Sequence, residues 1–239
     1  MNNTTKWIFL FVFSFLGMSA SVKAEAFTLQ SAYACAGSPV PSGWVVDSVM
    51  ASAPGVSCPG EIYRISNSTG QSQMYYCQGL SQMPSGWVID SQSSTVAGYK
   101  CPSWTYRIRN TLGQTQMYMC MGTPQPDGWV IDSSFSVMSG YKCPGAIYRI
   151  RAIAGQDQMY MCHGSILPSG WVFDSEYATR SGFSCPGAIL RIQNTVGHTQ
   201  LYMCEAGGNP IPSGWVLMST SASVSGYNCP LQIYKIKKL

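Results

Sequence analysis

The segment Pro-x-Gly-Trp-Val occurs five times, at Pro41 to Val45, Pro84 to Val88, Pro126 to Val130, Pro168 to Val172 and Pro212 to Val216. Successive Trp residues stand 43, 42, 42 and 44 positions apart. A period of this size means that one small supersecondary unit is copied, and that each copy is too small to bury a sufficient core alone. Cys-Pro recurs in step at Cys58, Cys101, Cys143, Cys185 and Cys229, each followed by a segment resembling Ile-Tyr-Arg-Ile. Gly-Gln-x-Gln-Met-Tyr-x-Cys then ends at Cys77, Cys120 and Cys162, with a variant ending at Cys204. Tyr33 precedes Cys35 with the same two-residue spacing.

The first residues stand outside this repeat. Lys6, the apolar stretch Trp7 to Met18 and the small residues before Ala24 have the three-part layout of a secretory signal peptide, expected over residues 1–24. The apolar stretch is well short of the ~20 residues needed to span a bilayer. Residues 25–239 then read as a single repeat domain of five units, at about 28–70, 71–113, 114–155, 156–197 and 198–239. A secreted or periplasmic location follows, with no membrane span in the mature chain.

Each unit reads as strands and turns. Gly-Trp-Val-Ile-Asp-Ser is a short strand entered through a turn, with Pro expected at turn position i+1 and Gly at i+3. Ile147 to Ile150 and Gln158 to Met161 are two more, and Asn-x-x-Gly connections such as Asn110 to Gly113 predict that such pairs form a hairpin. Segments such as Ser134 to Lys142 are candidates for a fourth, outer strand. The fold class is therefore all-β, five tandem repeats of about 43 residues stapled by disulfides. The leading expectation is a five-bladed β-propeller, its last blade completed by the N-terminal strand before Cys35. A linear array of small β modules is the alternative, because units that begin at the Gln strand are already complete.

Ten Cys in an exported chain imply disulfides. Two pairings respect the repeat. One joins each Cys forward to the next Cys-Pro: Cys35 with Cys58, Cys77 with Cys101, Cys120 with Cys143, Cys162 with Cys185 and Cys204 with Cys229. The other bridges Cys58 with Cys77, Cys101 with Cys120, Cys143 with Cys162 and Cys185 with Cys204, and locks a ring through Cys35 and Cys229. The forward pairing is preferred because it needs no closure. No Cys-x-x-Cys is present, so no metal site is expected, and no cofactor.

Only 10% of residues are charged, against roughly 25% in an ordinary domain. A formal net charge of +4 that falls further with the signal peptide gives no electrostatic reason to bind nucleic acid. The charges that exist are arranged in step. Asp47, Asp90, Asp132 and Asp174 follow the Trp-Val pair, and Arg64, Arg107, Arg149 and Arg191 sit in the Tyr segment; Met218 and Lys235 replace them in the fifth unit. Joint loss of both partners predicts a structural Asp to Arg pair within each unit. Catalytic motifs are absent, and His163 and His198 fall at non-equivalent places.

The expected activity is multivalent binding, with carbohydrate as the leading ligand class and equivalent sites on each repeat. Trp44, Trp87, Trp129, Trp171 and Trp215 are candidate platforms for sugar rings, against the alternative that they pack the core. Gln73, Gln116, Gln158 and Gln200 are candidate hydrogen-bonding groups. Partners would be glycans or an extracellular surface. A structural or adhesive scaffold, or an inhibitor, is the second reading, and a hydrolase with its site at the mouth of a ring the third.

Overall fold

The computed structural model describes residues 30–205 and 209–239; the expected signal peptide lies outside the described residues. Among the described residues fifteen strands form five three-stranded antiparallel sheets. In the first module β1 (Ser31–Cys35), β2 (Trp44–Met50) and β3 (Ile62–Asn67) are ordered β1-β3-β2, so the Ile-Tyr-Arg-Ile strand lies in the centre. The second module repeats this with β4 (Gln73–Cys77), β5 (Trp87–Ser93) and β6 (Thr105–Asn110), and the third with β7 (Gln116–Cys120), β8 (Trp129–Phe135) and β9 (Ile147–Ala152). The fourth contains β10 (Gln158–Cys162), β11 (Trp171–Tyr177) and β12 (Ile189–Asn194), and the fifth β13 (Gln200–Cys204), β14 (Trp215–Ser221) and β15 (Ile233–Lys238).

Two local expectations are corrected by this topology. The Ile-Tyr-Arg-Ile strand and the following Gln strand do not form a hairpin: β3 pairs with β1 and β2, whereas β4 pairs with β6. The Asn67 to Gly70 turn forms, with the Thr69 N–H donating to Asn67 Oδ1 and the Gln71 N–H to the Ser68 carbonyl, but it hands the chain to the next module. The reason is edge availability. The central strand already has neighbours on both sides, so the strand after it must begin a new sheet. Segments such as Ser134 to Lys142 add no fourth strand among the described residues. They reach back instead, with the Lys142 carbonyl accepting the Gln92 N–H of the preceding module at 2.6 Å.

The entry turn also differs from its expected register. The Trp44 N–H donates to the Pro41 carbonyl at 3.0 Å, which places Pro at position i and Gly43, at φ +77°, at i+2. A positive φ at i+2 is the signature of a type II turn and explains why Gly stands there.

The sheets are not closed into a ring. β2 packs on β4, β5 on β7, β8 on β10 and β11 on β13, and no such contact joins β14 to β1. The propeller expectation fails because β1 completes the first sheet and β13 the fifth, so no sheet lacks a strand for the chain terminus to supply. The molecule is a linear array of β modules. Each carries one disulfide in the forward pairing, Cys35–Cys58, Cys77–Cys101, Cys120–Cys143, Cys162–Cys185 and Cys204–Cys229, with Cα atoms 5.2–5.5 Å apart. No free Cys remains.

The apolar core lies between modules. Val45 of the first packs with Met74, Tyr76, Trp87 and Ile108 of the second; Val88 packs with Met117, Met119, Trp129 and Ile150 of the third. Val130 meets Met159, Met161 and Trp171 of the fourth, and Val172 meets Leu201, Met203, Trp215 and Ile236 of the fifth. A lone sheet has one face to bury and nothing to bury it against, so stacking does what a single unit cannot.

Candidate functional site

The charged residues are positioned by a break in strand register. Between Val46 and Ser48 the pairing of β2 with β3 shifts by one residue, leaving Asp47 as the unpaired residue of a β-bulge; Asp90, Asp132, Asp174 and Met218 occupy the same place in their modules. A bulge re-aims the side chain it carries. Here the carboxylate meets the arginine of the central strand: Arg64 Nε to Asp47 Oδ1 at 2.6 Å, Arg107 to Asp90 at 2.6 Å, Arg149 to Asp132 at 2.5 Å and Arg191 to Asp174 at 2.6 Å. The arginines continue into the next module, donating through Nη2 to the carbonyls of Gly98, Gly140, Gly182 and Gly226.

A second partner for each carboxylate stands two residues further along the central strand, and the sequence reading missed it. Ser66 Oγ donates to Asp47 Oδ2 at 2.6 Å, while Arg109 and Arg151 approach the second oxygens of Asp90 and Asp132 at 2.5 Å. The Arg-x-Arg spacing at 107 and 109, and again at 149 and 151, was the available signal, because alternate residues of a strand share one face. In the fourth module this place is held by Gln193, and Asp174 Oδ2 is buried without a hydrogen-bond partner. Burial accordingly raises the Asp174 pKa despite the opposing Arg191. Burial works against the charge of Arg107, but the hydrogen bond and charge of Asp90 outweigh it and its pKa is raised.

Trp87, Trp129, Trp171 and Trp215 are buried inside the joints, 4–8% exposed. Each packs against the valine of the preceding module, which leaves little of its indole open to a ligand. Trp44, which has no preceding module, is half-buried beside a 940 Å³ groove also lined by Pro41, Met83, Pro84 and Trp87.

The residues on the open face are different ones. Gln73, Gln116, Gln158 and Gln200 are exposed at the first position of their strands, and the strand alternation places Tyr75, Tyr118, Tyr160 and Tyr202 on the same side. Each tyrosine meets a second aromatic from the loop before Cys-Pro: Tyr75 with Tyr99 at 4.8 Å between ring centroids, Tyr118 with Tyr141 at 5.3 Å, Tyr160 with Phe183 at 5.4 Å and Tyr202 with Tyr227 at 5.0 Å. The clasp arginines of the preceding modules reach these rings, Arg64 over Tyr99, Arg107 over Tyr141 and Arg191 over Tyr227, at 5.3–5.9 Å. Gly-Tyr or Gly-Phe ahead of Cys-Pro, recurring four times, would have exposed these aromatics to a closer alignment of the repeats.

Two adjoining grooves run along this face. One of 490 Å³ is lined by Gln73, Arg109, Leu112, Gln116, Tyr118 and Tyr141; the other, of 340 Å³, by Tyr75, Ser91, Thr95, Arg107, Tyr141 and Lys142. Tyr141 belongs to both. Burial, with the Asp90 carboxylate, outweighs the neighbouring arginines and raises its pKa, which keeps the phenol neutral and able both to donate and to accept. Among the described residues no group of three or more His, Cys, Asp or Glu is placed to hold a metal ion, and no helix is long and apolar enough to cross a membrane.

No protein-family model, curated protein or solved structure matches the chain.

Proposed function

We propose that this is an exported, multivalent binding protein that takes a neutral, chain-like polysaccharide along its open face. The observation that carries this reading is the 490 Å³ groove, which brings Gln73 and Gln116 of successive modules beside Tyr118 and Tyr141. Uncharged amides and neutral phenols suit sugar hydroxyls, and tilted aromatic rings suit the apolar face of a sugar. Equivalent positions along a row gain avidity from one extended ligand. Five disulfides fit an oxidising compartment, and the proposed signal peptide over residues 1–24 supplies the route to it. The ring mouth at which a hydrolase site was expected has no counterpart in a linear array.

A glycan and polysaccharide array with the disulfide-bonded protein tests this. Retention by one class of neutral polymer, lost in Tyr141→Ala and weakened in Gln116→Ala with the fold intact, is the expected result. Uniform signal across neutral and charged glycans would remove the carbohydrate reading.

A further inference from the structure

The four internal joints use one set of contacts. The backbone N–H groups of Val49, Gln92, Ser134 and Glu176 donate to the carbonyls of Lys100, Lys142, Ser184 and Asn228 in the next module, at 2.5–2.7 Å. Return bonds run from the N–H groups of those same four residues to the hydroxyls of Ser48, Ser91, Ser133 and Ser175, at 3.3–3.4 Å. A further acceptor reaches back in three joints, where Ser81, Ser165 and Asn209 accept the N–H of Val46, Ile131 and Phe173. The valine of each outer strand, Val45, Val88, Val130 or Val172, is completely buried by the module that follows.

Both halves of this joint are present at the two ends of the array. The fifth module carries Val216, Ser219 and Thr220 at the places of Val45, Ser48 and Val49, and the first carries Ser38 and Ser57 at the places of Ser165 and Lys100. Ser38, Ser57, Ser219 and Thr220 are exposed, whereas Ser48, Ser133 and Ser175 are buried.

The ends depart from the internal joints in two ways, and the departures complement each other in size. On the N-terminal face Ala32 and Ala34 stand where later modules place Met74 and Tyr76, Met117 and Met119, Met159 and Met161, or Leu201 and Met203. On the C-terminal face Met218 replaces the buried aspartate and is 57% exposed, and Val216, the counterpart of the four buried valines, is no longer fully covered. A terminal repeat that stays in water carries a polar outer face. This one has exchanged a charge for a thioether on the face where the next module would sit.

We propose that the C-terminal face of one copy docks on the N-terminal face of a second, continuing the stack head to tail. Val216 and Met218 fill the space left by Ala32 and Ala34, the Thr220 N–H donates to the Ser57 carbonyl, and the Ser219 hydroxyl accepts the Ser57 N–H. The two faces differ, so the contact is heterologous, and a joint that repeats the internal one adds copies in an open row. This assembly does not rest on the polysaccharide reading, and either stands if the other fails.

Sedimentation of the intact disulfide-bonded protein from micromolar to millimolar concentration tests it. The expected wild-type result is a mass that climbs through successive multiples. Met218→Lys and Ala32→Lys each remove one face at an exposed or half-exposed position, and each alone is expected to raise the dissociation constant at least tenfold. An equal mixture of the two is expected to form a dimer and nothing larger, since one variant keeps its C-terminal face and the other its N-terminal face. Circular dichroism, and the melting temperature at a dilution where all three proteins are monomeric, are expected to be unchanged in both and separate loss of assembly from loss of fold. A wild type that stays monomeric throughout overturns the proposal. So does Met218→Lys alone abolishing association while Ala32→Lys leaves it intact, because that pattern belongs to two C-terminal faces meeting each other.

Discussion

At the residue scale the bulged aspartate is the most constrained group in a module. Asp90 and Asp132 are fully buried, and each is held by two guanidinium groups on one strand. Removing one partner of a buried pair leaves the other charge uncompensated, costing about 3–5 kcal/mol when both are deeply buried. Arg107 and Arg109 keep part of their hydration, so Asp90→Ala is expected to cost less, about 2 kcal/mol, in urea unfolding. Asp174 is the exception, with one guanidinium only and no charge partner beside its Oδ2. Gln193→Arg restores the second guanidinium present in the two preceding modules and is expected to stabilise by about 1 kcal/mol. The pH dependence has a defined sign. Because burial raises the Asp174 pKa, the folded state holds this proton more tightly than the unfolded chain. Its contribution is present below the ordinary aspartate pKa and is lost as pH rises through the folded value. Comparison of wild type with Asp174→Asn across the acidic range should isolate that loss, and Gln193→Arg should shrink it.

At the element scale, what a strand needs depends on its neighbours in other modules. Trp129→Ala opens a cavity against Val88, Met117 and Met119, and the expected cost is about 3–5 kcal/mol. Trp44→Ala, at the half-buried start of the array, should cost clearly less; equal losses in chemical denaturation would contradict the assignment of these residues to the joints. Each disulfide closes a loop inside one module, and the double variant Cys120→Ala, Cys143→Ala is expected to lose roughly 3 kcal/mol. The damage should be local, with amide exchange accelerating in β7 to β9 before the other sheets. Strand positions and the Asp to Arg pairing were legible in the sequence because both repeat at fixed spacing. The second guanidinium and the loop aromatics repeat as well, but their meaning depends on which strands lie side by side. The hairpin failed for the same reason. A turn motif reports that the chain reverses, not which sheet the returning strand joins.

At the scale of the whole molecule, the array has neighbours on both sides of its internal modules and only one side of its end modules. Stability in such a stack is close to a sum of module and joint terms. The internal joints should therefore outlast the ends, and hydrogen exchange should find the first and fifth modules opening before the third. Assembly head to tail would protect both ends together, so their exchange rates should fall with protein concentration while that of the third module stays constant.

The sequence by itself determined the unit: its length, its strand segments, its recurring cysteines and its recurring Asp and Arg. These are matters of local spacing, and fivefold repetition prints them above the noise of any single copy. Whether five units close or stand in line was decided only by the tertiary structure. The same strands occur in either case, and the difference lies in whether the strand before Cys35 completes the first sheet or the last. Closure would require the outer face of β14 to meet β1. Each sheet instead completes itself from its own consecutive strands, and among the described residues nothing covers the faces at the two ends of the array.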